Sequence, residues 1–267
     1  MAEAQGLELR HLSKHFGGVQ AVRDVSFSVQ PGECVALIGP NGAGKSTTFA
    51  CIAGQHAPSA GQVLCNGERM DARTPARRLQ RGVARTFQVA QIFEALTVLQ
   101  NVQLLLPGVS RFHPLNVLDA LQAQQALALL ARVGLQEQAS LDARQLPYGA
   151  KKRLELAMAL AGLEDGPQAG SLLLLDEPAA GLAAAERGAL MQLVHSLTRA
   201  TGTKERLAVL YTEHNMDAVF GVADRVLVLM EGRIAASGTA QEVAADERVR
   251  SHYLGRSFLQ AKEASHA

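Results

Sequence analysis

At 267 residues the chain has room for one large domain or two small ones, and 48% hydrophobic with 19% charged residues is an ordinary globular balance. A net charge of +1, 4% aromatic residues and no Trp exclude a bulk electrostatic or stacking drive toward nucleic acid. The three cysteines (Cys34, Cys51, Cys65) lack C-x-x-C spacing and read as small buried hydrophobes in a reducing compartment.

Met1 to Leu12 carries no signal-peptide core, and no run of about eighteen apolar residues is present to cross a bilayer. The expectation is a cytoplasmic chain that can still dock onto a membrane protein. Residues 7–13 and 22–29 alternate in the strand manner, with a turn signal at His15-Phe16-Gly17-Gly18. Pro31-Gly32 then leads into a buried strand, Cys34 to Ile38. Directly after it stands Gly39-Pro40-Asn41-Gly42-Ala43-Gly44-Lys45-Ser46-Thr47, which fits the phosphate-loop pattern G-x-x-x-x-G-K-[ST]. Glycines let successive backbone N–H groups turn toward phosphate oxygens, and a helix opening at Lys45 adds its positive dipole end. Lys45 is expected to reach the β- and γ-phosphates, with the Ser46 hydroxyl a ligand of Mg²⁺. These residues predict a nucleoside triphosphate site.

Downstream, Pro58 to Gly61 make a turn, Gln62 to Cys65 a short strand, and Asn66-Gly67 a type I′ hairpin. The basic stretch Arg73 to Arg81 reads as an exposed helix with a solvated face, followed by a strand over 82–88. From Ala90 to Gly162 the composition is helical: Leu96 to Leu106, Asn116 to Val133 with Gly134 as its cap, and Tyr148 to Ala161. This predicts a helical insertion within an α/β framework. Strand patterns resume at Ser171 to Asp176, Leu207 to Thr212 and Arg225 to Met230, with helices between them. A tight turn at Glu231-Gly232-Arg233 enters a last strand, Ile234 to Ser237, and helical segments 239–245 and 246–253 follow.

Leu172 to Leu175 followed by Asp176-Glu177-Pro178 is the pattern of a buried parallel strand with acids at its C-terminal edge. Beside a phosphate loop, Asp176 suits Mg²⁺ held through its water shell, and Glu177 is placed to orient or deprotonate a water. Alone, the pair would read as two solvated acids. Likewise His214, after a strand, reads by itself as a satisfied core histidine, and Gln88 as a surface amide.

Leu146-Pro147-Tyr148-Gly149-Ala150-Lys151-Lys152-Arg153-Leu154-Glu155-Leu156-Ala157 resembles the signature sequence of the ATP-binding subunits of ABC transporters. The order phosphate loop, Gln88, signature, Asp176-Glu177, His214 is also that family's order, and the likeness runs from about Leu7 to Gly255. Within the family, Phe16 to Val22, Arg85-Thr86-Phe87-Gln88, Tyr148-Gly149, Glu213 to Asp217 and Tyr253-Leu254-Gly255 resemble the Liv-type branch. That branch powers uptake of branched-chain amino acids, with relatives serving urea, amides or other small solutes. The resemblance implies an α/β fold: a RecA-like core with an antiparallel β subdomain (5–89 and 163–255), a helical subdomain (90–162) and a frayed tail (256–267).

Roles follow from the same resemblance. Phe16 would stack on adenine, the residues from Gly39 to Thr47 would hold the phosphates of ATP, and Ser46, Gln88 and Asp176 would attend Mg²⁺. Glu177 would be the catalytic carboxylate, Gln88 would touch the attacking water, and His214 would bond the γ-phosphate. Tyr148 and Gly149, at the head of the signature helix, would face the ATP of a partner subunit. The implied partners are a second ATP-binding subunit (an identical copy or a paralogue), transmembrane permease subunits and, indirectly, an extracytoplasmic solute-binding protein, with no nucleic acid. The implied place is the cytoplasmic face of the inner membrane, as a peripheral subunit.

Two departures stand out: Pro147 replaces the usual signature serine, and Ala183 replaces an Asp or Asn. Pro147 suits the first turn of a helix. Because the signature acts in trans, the expectation is an asymmetric heterodimer in which this chain's own Lys45/Glu177 site does more of the hydrolysis. Ile92 and Phe93 either receive a permease helix or belong to the core of the helical insertion. A translation or DNA-repair ABC ATPase would carry a second cassette or a long coiled coil. A GTPase would need an N-K-x-D segment, which is absent.

Overall fold

The computed structural model describes residues 6–107, 122–164, 170–199 and 206–254. In chain order these residues form β1 (Leu7–Phe16), β2 (Val19–Val29), β3 (Cys34–Ile38), α1 (Lys45–Ala53), β4 (Ala60–Cys65), β5 (Glu68–Arg69), α2 (Pro75–Leu79) and β6 (Val83–Arg85). Next come α3 (Val98–Gln103), α4 (Ala123–Arg132), α5 (Tyr148–Ala161), β7 (Leu172–Asp176), α6 (Ala184–Arg199), β8 (Ala208–Thr212) and α7 (Met216–Phe220). The chain continues with β9 (Arg225–Met230), β10 (Arg233–Gly238), α8 (Ala240–Ala245) and α9 (Glu247–Val249), then a π-turn over Arg250–Leu254. The predicted helix start at Asn116 and the tail 256–267 lie outside the described residues.

Among the described residues two sheets form. One is antiparallel in the order β2-β1-β4-β5; the other runs β10-β9-β3-β8-β7-β6. In the second, every pairing from β9 to β6 is parallel. The two faces of its strands serve different cores. Cys34, Ala36 and Ile38 of β3 join a cluster with Leu173, Leu175, Val209 and Tyr211, on the side of α3 to α6. Val35, Leu37, Leu172, Leu174 and Leu210 join Phe49, Cys51 and Ile52 of α1 and the inner side of the antiparallel sheet. Burial on both faces explains why β7 runs Leu172 to Leu175 without alternation before ending at Asp176. Each of these leucines contributes about 1.5–3 kcal/mol by leaving water. The α/β expectation is borne out.

Local signals also explain the boundaries. Asn66 and Gly67 have φ of 50° and 77°, the left-handed pair of the predicted hairpin turn. After α4, Leu135 N donates to Leu130 O at 2.8 Å and Gly134 N to Ala131 O at 3.1 Å, a Schellman closure around Gly134. The predicted helix over Leu96 to Leu106 is shorter. Thr97 caps it in a capping box with Gln100, and after Gln103 the bonds tighten to i→i+3 (Leu105 N to Val102 O, Leu106 N to Gln103 O). The strand expected over 82–88 stops at Arg85, beyond which only Thr86 N still bonds β7, at Leu174 O.

The basic stretch is the clearest correction. Arg78 of α2 is 1% exposed, not part of a solvated face. Its guanidinium donates to Cys51 O (2.7 Å) and Ile52 O (2.6 Å) at the end of α1, and to Arg73 O (3.0 Å). Basic composition reads as surface until the element that packs on it is known.

Candidate functional site

β3 ends between β8 and β9, so the phosphate loop leaves the sheet where strand order branches, at the carboxyl edge. Gly39, Gly42 and Gly44 have φ of 147°, 78° and 104°. A Cβ on Gly39 would stand 2.0 Å from Leu229 O, and one on Gly44 2.3 Å from Ala21 O, so neither position admits a side chain. Gly44 caps α1 without a side-chain acceptor, leaving the first N–H groups of the helix directed at the loop. Lys45 folds back over the loop, its Nζ donating to Gly39 O (2.6 Å) and Pro40 O (3.1 Å). Burial pushes its pKa down, while Glu177 and Asp176 favour its charged form. Asn41 to Thr47 line a cleft of about 190 Å³ with Ala21, Glu177 and His214.

Parallel register brings the acids to the same edge. Asp176 lies beside Thr212, whose Oγ1 donates to Asp176 Oδ1 at 2.8 Å. The other carboxylate oxygen, Oδ2, accepts from Arg85 of β6 at 2.7 Å. Arg85 also donates to Gln55, and its ring neighbours are Phe49 and Phe87. Glu177 leaves the strand at φ 49°, a left-handed conformation held by its N–H to Thr212 O (3.2 Å) and Oγ1 (3.1 Å). Glu177 then sits between two partners: Gln88 Nε2 donates to Oε2 at 2.9 Å, and His214 Nε2 lies 2.7 Å from Oε1. Sequence order alone could not bring Gln88, Glu177 and His214 into this contact.

Among the described residues no group of three or more His, Cys, Asp or Glu could hold a metal by itself. Ser46, Asp176 and Gln88 supply oxygen donors of the kind Mg²⁺ takes, and Asp176 keeps lone pairs beyond those used by Thr212 and Arg85. The donor set fits an ion that brings phosphate and water ligands with it.

Other predicted residues lie apart from the cleft. Phe16 is 45% exposed at the end of β1, with Lys14 Nζ 4.8 Å over its ring and His56 edge-on at 5.2 Å. Tyr148 and Gly149 start α5 and pack against α6 and the turn before it. Gly181 leaves room for the Tyr148 ring, and a Cβ on Gly149 would lie 3.1 Å from Glu186 Oε1. Neither lines this chain's own phosphate cleft. Pro147 is the cap residue just before α5 rather than part of its first turn, and it offers no side-chain bond. Of the pair after Gln88, Ile92 packs on the core whereas Phe93 is 51% exposed.

Residues that sequence reasoning missed also shape the site. Buried Glu213 accepts from Ala179 N (3.0 Å) and His214 N (3.2 Å), fixing the turn after Glu177 and the histidine together. Lys152 and Glu155 of α5 bond the backbone around Gln88. Their one sequence signal was an opposite-charge pair within the stripe of Leu154, Ala157, Met158 and Ala161. Burial raises the Glu155 carboxyl above its usual range and lowers Lys152.

Comparison with known proteins agrees with this geometry. The ABC transporter family profile matches residues 22–180, and that of the branched-chain amino acid ATP-binding cassette transporters matches residues 233–258. The high-affinity branched-chain amino acid transport ATP-binding protein LivG of Escherichia coli is 33% identical over 259 residues, covering 93% of this chain and 97% of LivG. Its counterpart BraF of Pseudomonas aeruginosa is 31% identical over 258 residues, with the same shares covered. An ATP-binding cassette of an ABC transporter solved in its ADP conformation superposes with TM-score 0.80 at 28% identity, over 94% of this chain and 99% of the other. A nucleotide-free cassette gives 0.79 at 28% identity, over 94% and 100%. The chain belongs to the ABC transporter family, as one of its ATP-binding, ATP-hydrolysing subunits.

Proposed function

We propose that the chain drives an importer for branched-chain amino acids or a related small polar solute such as urea or an amide. The observation that carries this reading is the Gln88–Glu177–His214 contact at the mouth of the phosphate cleft, on a chain whose 233–258 segment matches the branched-chain amino acid cassettes. The unit is a single ABC ATPase domain, with 90–162 as its helical subdomain.

Lys45 exchanges the carbonyls of Gly39 and Pro40 for the β- and γ-phosphates of ATP, aided by the N–H groups from Gly42 to Thr47, while Phe16 stacks on adenine. Ser46, Asp176 and Gln88 would hold Mg²⁺, which when bound neutralises phosphate charge. Glu177 orients the attacking water and accepts its proton, with Gln88 fixing the carboxylate on one side. His214 turns from Glu177 Oε1 to the γ-phosphate. Tyr148 and Gly149, outside the chain's own cleft, face the ATP of a second ATP-binding subunit, a paralogue in this reading. Closure around two nucleotides is the mechanical step.

The groove lined by Phe87, Gln91, Leu105, Met158 and Ala159, with Phe93 exposed on the same loop, suits a short permease helix on the cytoplasmic side of the inner membrane. A solute-binding protein outside the membrane would deliver cargo. Reconstitution with the cognate permease, partner cassette and binding protein tests the proposal. ATP-dependent uptake of labelled leucine, abolished by Glu177→Gln with ATP binding kept, is the expected result. Uptake of urea or amides alone would move the assignment to those solutes, and uptake of none would overturn it.

A further inference from the structure

The chain between β6 and α3 has left the sheet, so its backbone polar groups must be satisfied elsewhere. Two charged residues one turn apart on α5 satisfy four of those nearest Gln88. Lys152 is 4% exposed and Glu155 5% exposed. Lys152 Nζ donates to Phe87 O (3.2 Å) and Gln88 O (2.5 Å), while Glu155 Oε1 accepts from Phe87 N (3.0 Å) and Gln91 N (3.3 Å). Their own separation, Nζ to Oε2, is 3.9 Å, so each charge is spent mainly on the loop rather than on the other. Gln88, held in this way from α5, reaches across to Glu177 on the sheet edge at 2.9 Å.

We propose that Lys152 and Glu155 are positioning residues that fasten the Gln88 loop to the signature helix, so that the place of α5 sets the contact between Gln88 and Glu177. Two ions buried in the core are costly, and an apolar pair would pack there at least as well. What an apolar pair could not do is hold four backbone atoms of a loop in register. The head of the same helix carries Tyr148 and Gly149. Through the clamp, a shift of that head relative to the sheet reaches Gln88 without passing through the sheet. The inference rests on Gln88 acting on Glu177 in hydrolysis.

The test uses the full chain, assembled with its partner cassette and permease, with Lys152→Met/Glu155→Met, Gln88→Ala and their combination. The paired variant should keep KM for MgATP within about twofold while kcat falls on the order of 10–100-fold, the scale of a misplaced group. Gln88→Ala should then cost less than about twofold more in that background, because both changes act through one contact. Native-state hydrogen exchange should quicken at the Phe87 and Gln91 amides and stay unchanged in β7. Lys152→Arg, which keeps donors for both carbonyls, should restore most of kcat. If the paired variant does not fold, Glu155→Met alone, which removes the acceptor shared by the Phe87 and Gln91 amides, carries the same readings. Undiminished loss from Gln88→Ala in the paired background, or unchanged exchange at Phe87 and Gln91, would overturn the clamp. A wild-type assembly that fails to hydrolyse MgATP would instead sink the catalytic reading, and the exchange measurement would still judge the clamp.

Discussion

Arg78→Met removes a cation from the far end of the phosphate-loop helix, and its cost can be worked from the contacts. Cys51 O also accepts from Gly54 N at 3.3 Å, but Ile52 O has Arg78 as its hydrogen-bond donor. Stranding a buried carbonyl costs about 1–3 kcal/mol. Losing a positive charge at the C-terminal end of a partly buried helix adds about 1 kcal/mol. Against this, the variant no longer has to desolvate a guanidinium, whose pKa burial lowers. A net loss of about 2 kcal/mol follows, or a Tm lower by about 4–8 °C for a domain of this size. Circular dichroism melting of the full chain measures it. Arg78→Lys should recover less than half, because one ammonium cannot span the carbonyls that the planar fork reaches together. Gly54→Ala should mimic part of the loss, since at φ 81° its Cβ would stand 2.5 Å from Arg78 Nε. A Tm within about 2 °C of wild type for Arg78→Met would refute the assignment of this arginine as the helix clamp.

Two further outcomes test the core and the turn after Glu177. Burial pushes Cys34 up to about 12 and Cys51 and Cys65 up to about 11, from 9.0. At pH 8 the native chain should therefore resist iodoacetamide while the denatured chain labels at all three cysteines. The folded state keeps protons that the unfolded state releases near pH 9, so stability should fall as pH rises from about 9 toward 11–12. Rapid native labelling at pH 8, read by mass spectrometry, would contradict this. Ala183 sits just before α6, its carbonyl accepting from Arg187 N at 2.9 Å with no side-chain acceptor to offer. Ala183→Asp should add a cap worth about 1 kcal/mol and raise Tm by about 2–4 °C. An unchanged melt would show that the side chain does not reach the helix.

The phosphate loop was legible because its constraint is covalent and local: glycine spacing, a lysine, and an apolar strand before them. The same is true of α5, bracketed by Pro147 and Gly162, and of β7, whose leucines can only be a strand buried on both faces. Arg85 was not legible as the partner of Asp176, because their contact depends on β6 pairing with β7. Thr212 was hidden in the same way by the β7–β8 register. Ile92 and Phe93 are adjacent apolar residues with opposite fates, and only the packing of the helical layer separates them. Arg78 misled because local composition says basic and exposed, while burial depends on α1, 26 and 27 residues upstream in its bonds to Ile52 and Cys51.

Arg78, Arg85, Lys152 and Glu155 gather around one strand. β6 is the edge of the six-stranded sheet and only three residues long, so it has few ladder bonds to hold it. Arg78 fastens the helix before it, Arg85 fastens the strand itself to Asp176, and Lys152 with Glu155 fasten the chain after it. Hydrophobic packing could have fixed such an edge as firmly, but packing is indifferent to charge. Coulomb interactions in a partly buried site are not, and they fall slowly with distance. In the function proposed above, a triphosphate entering the neighbouring cleft would change the field at Asp176, Glu177 and Lys45 at once. An edge stitched by charge to one of those carboxylates would feel that change directly, and Gln88 hangs from that edge.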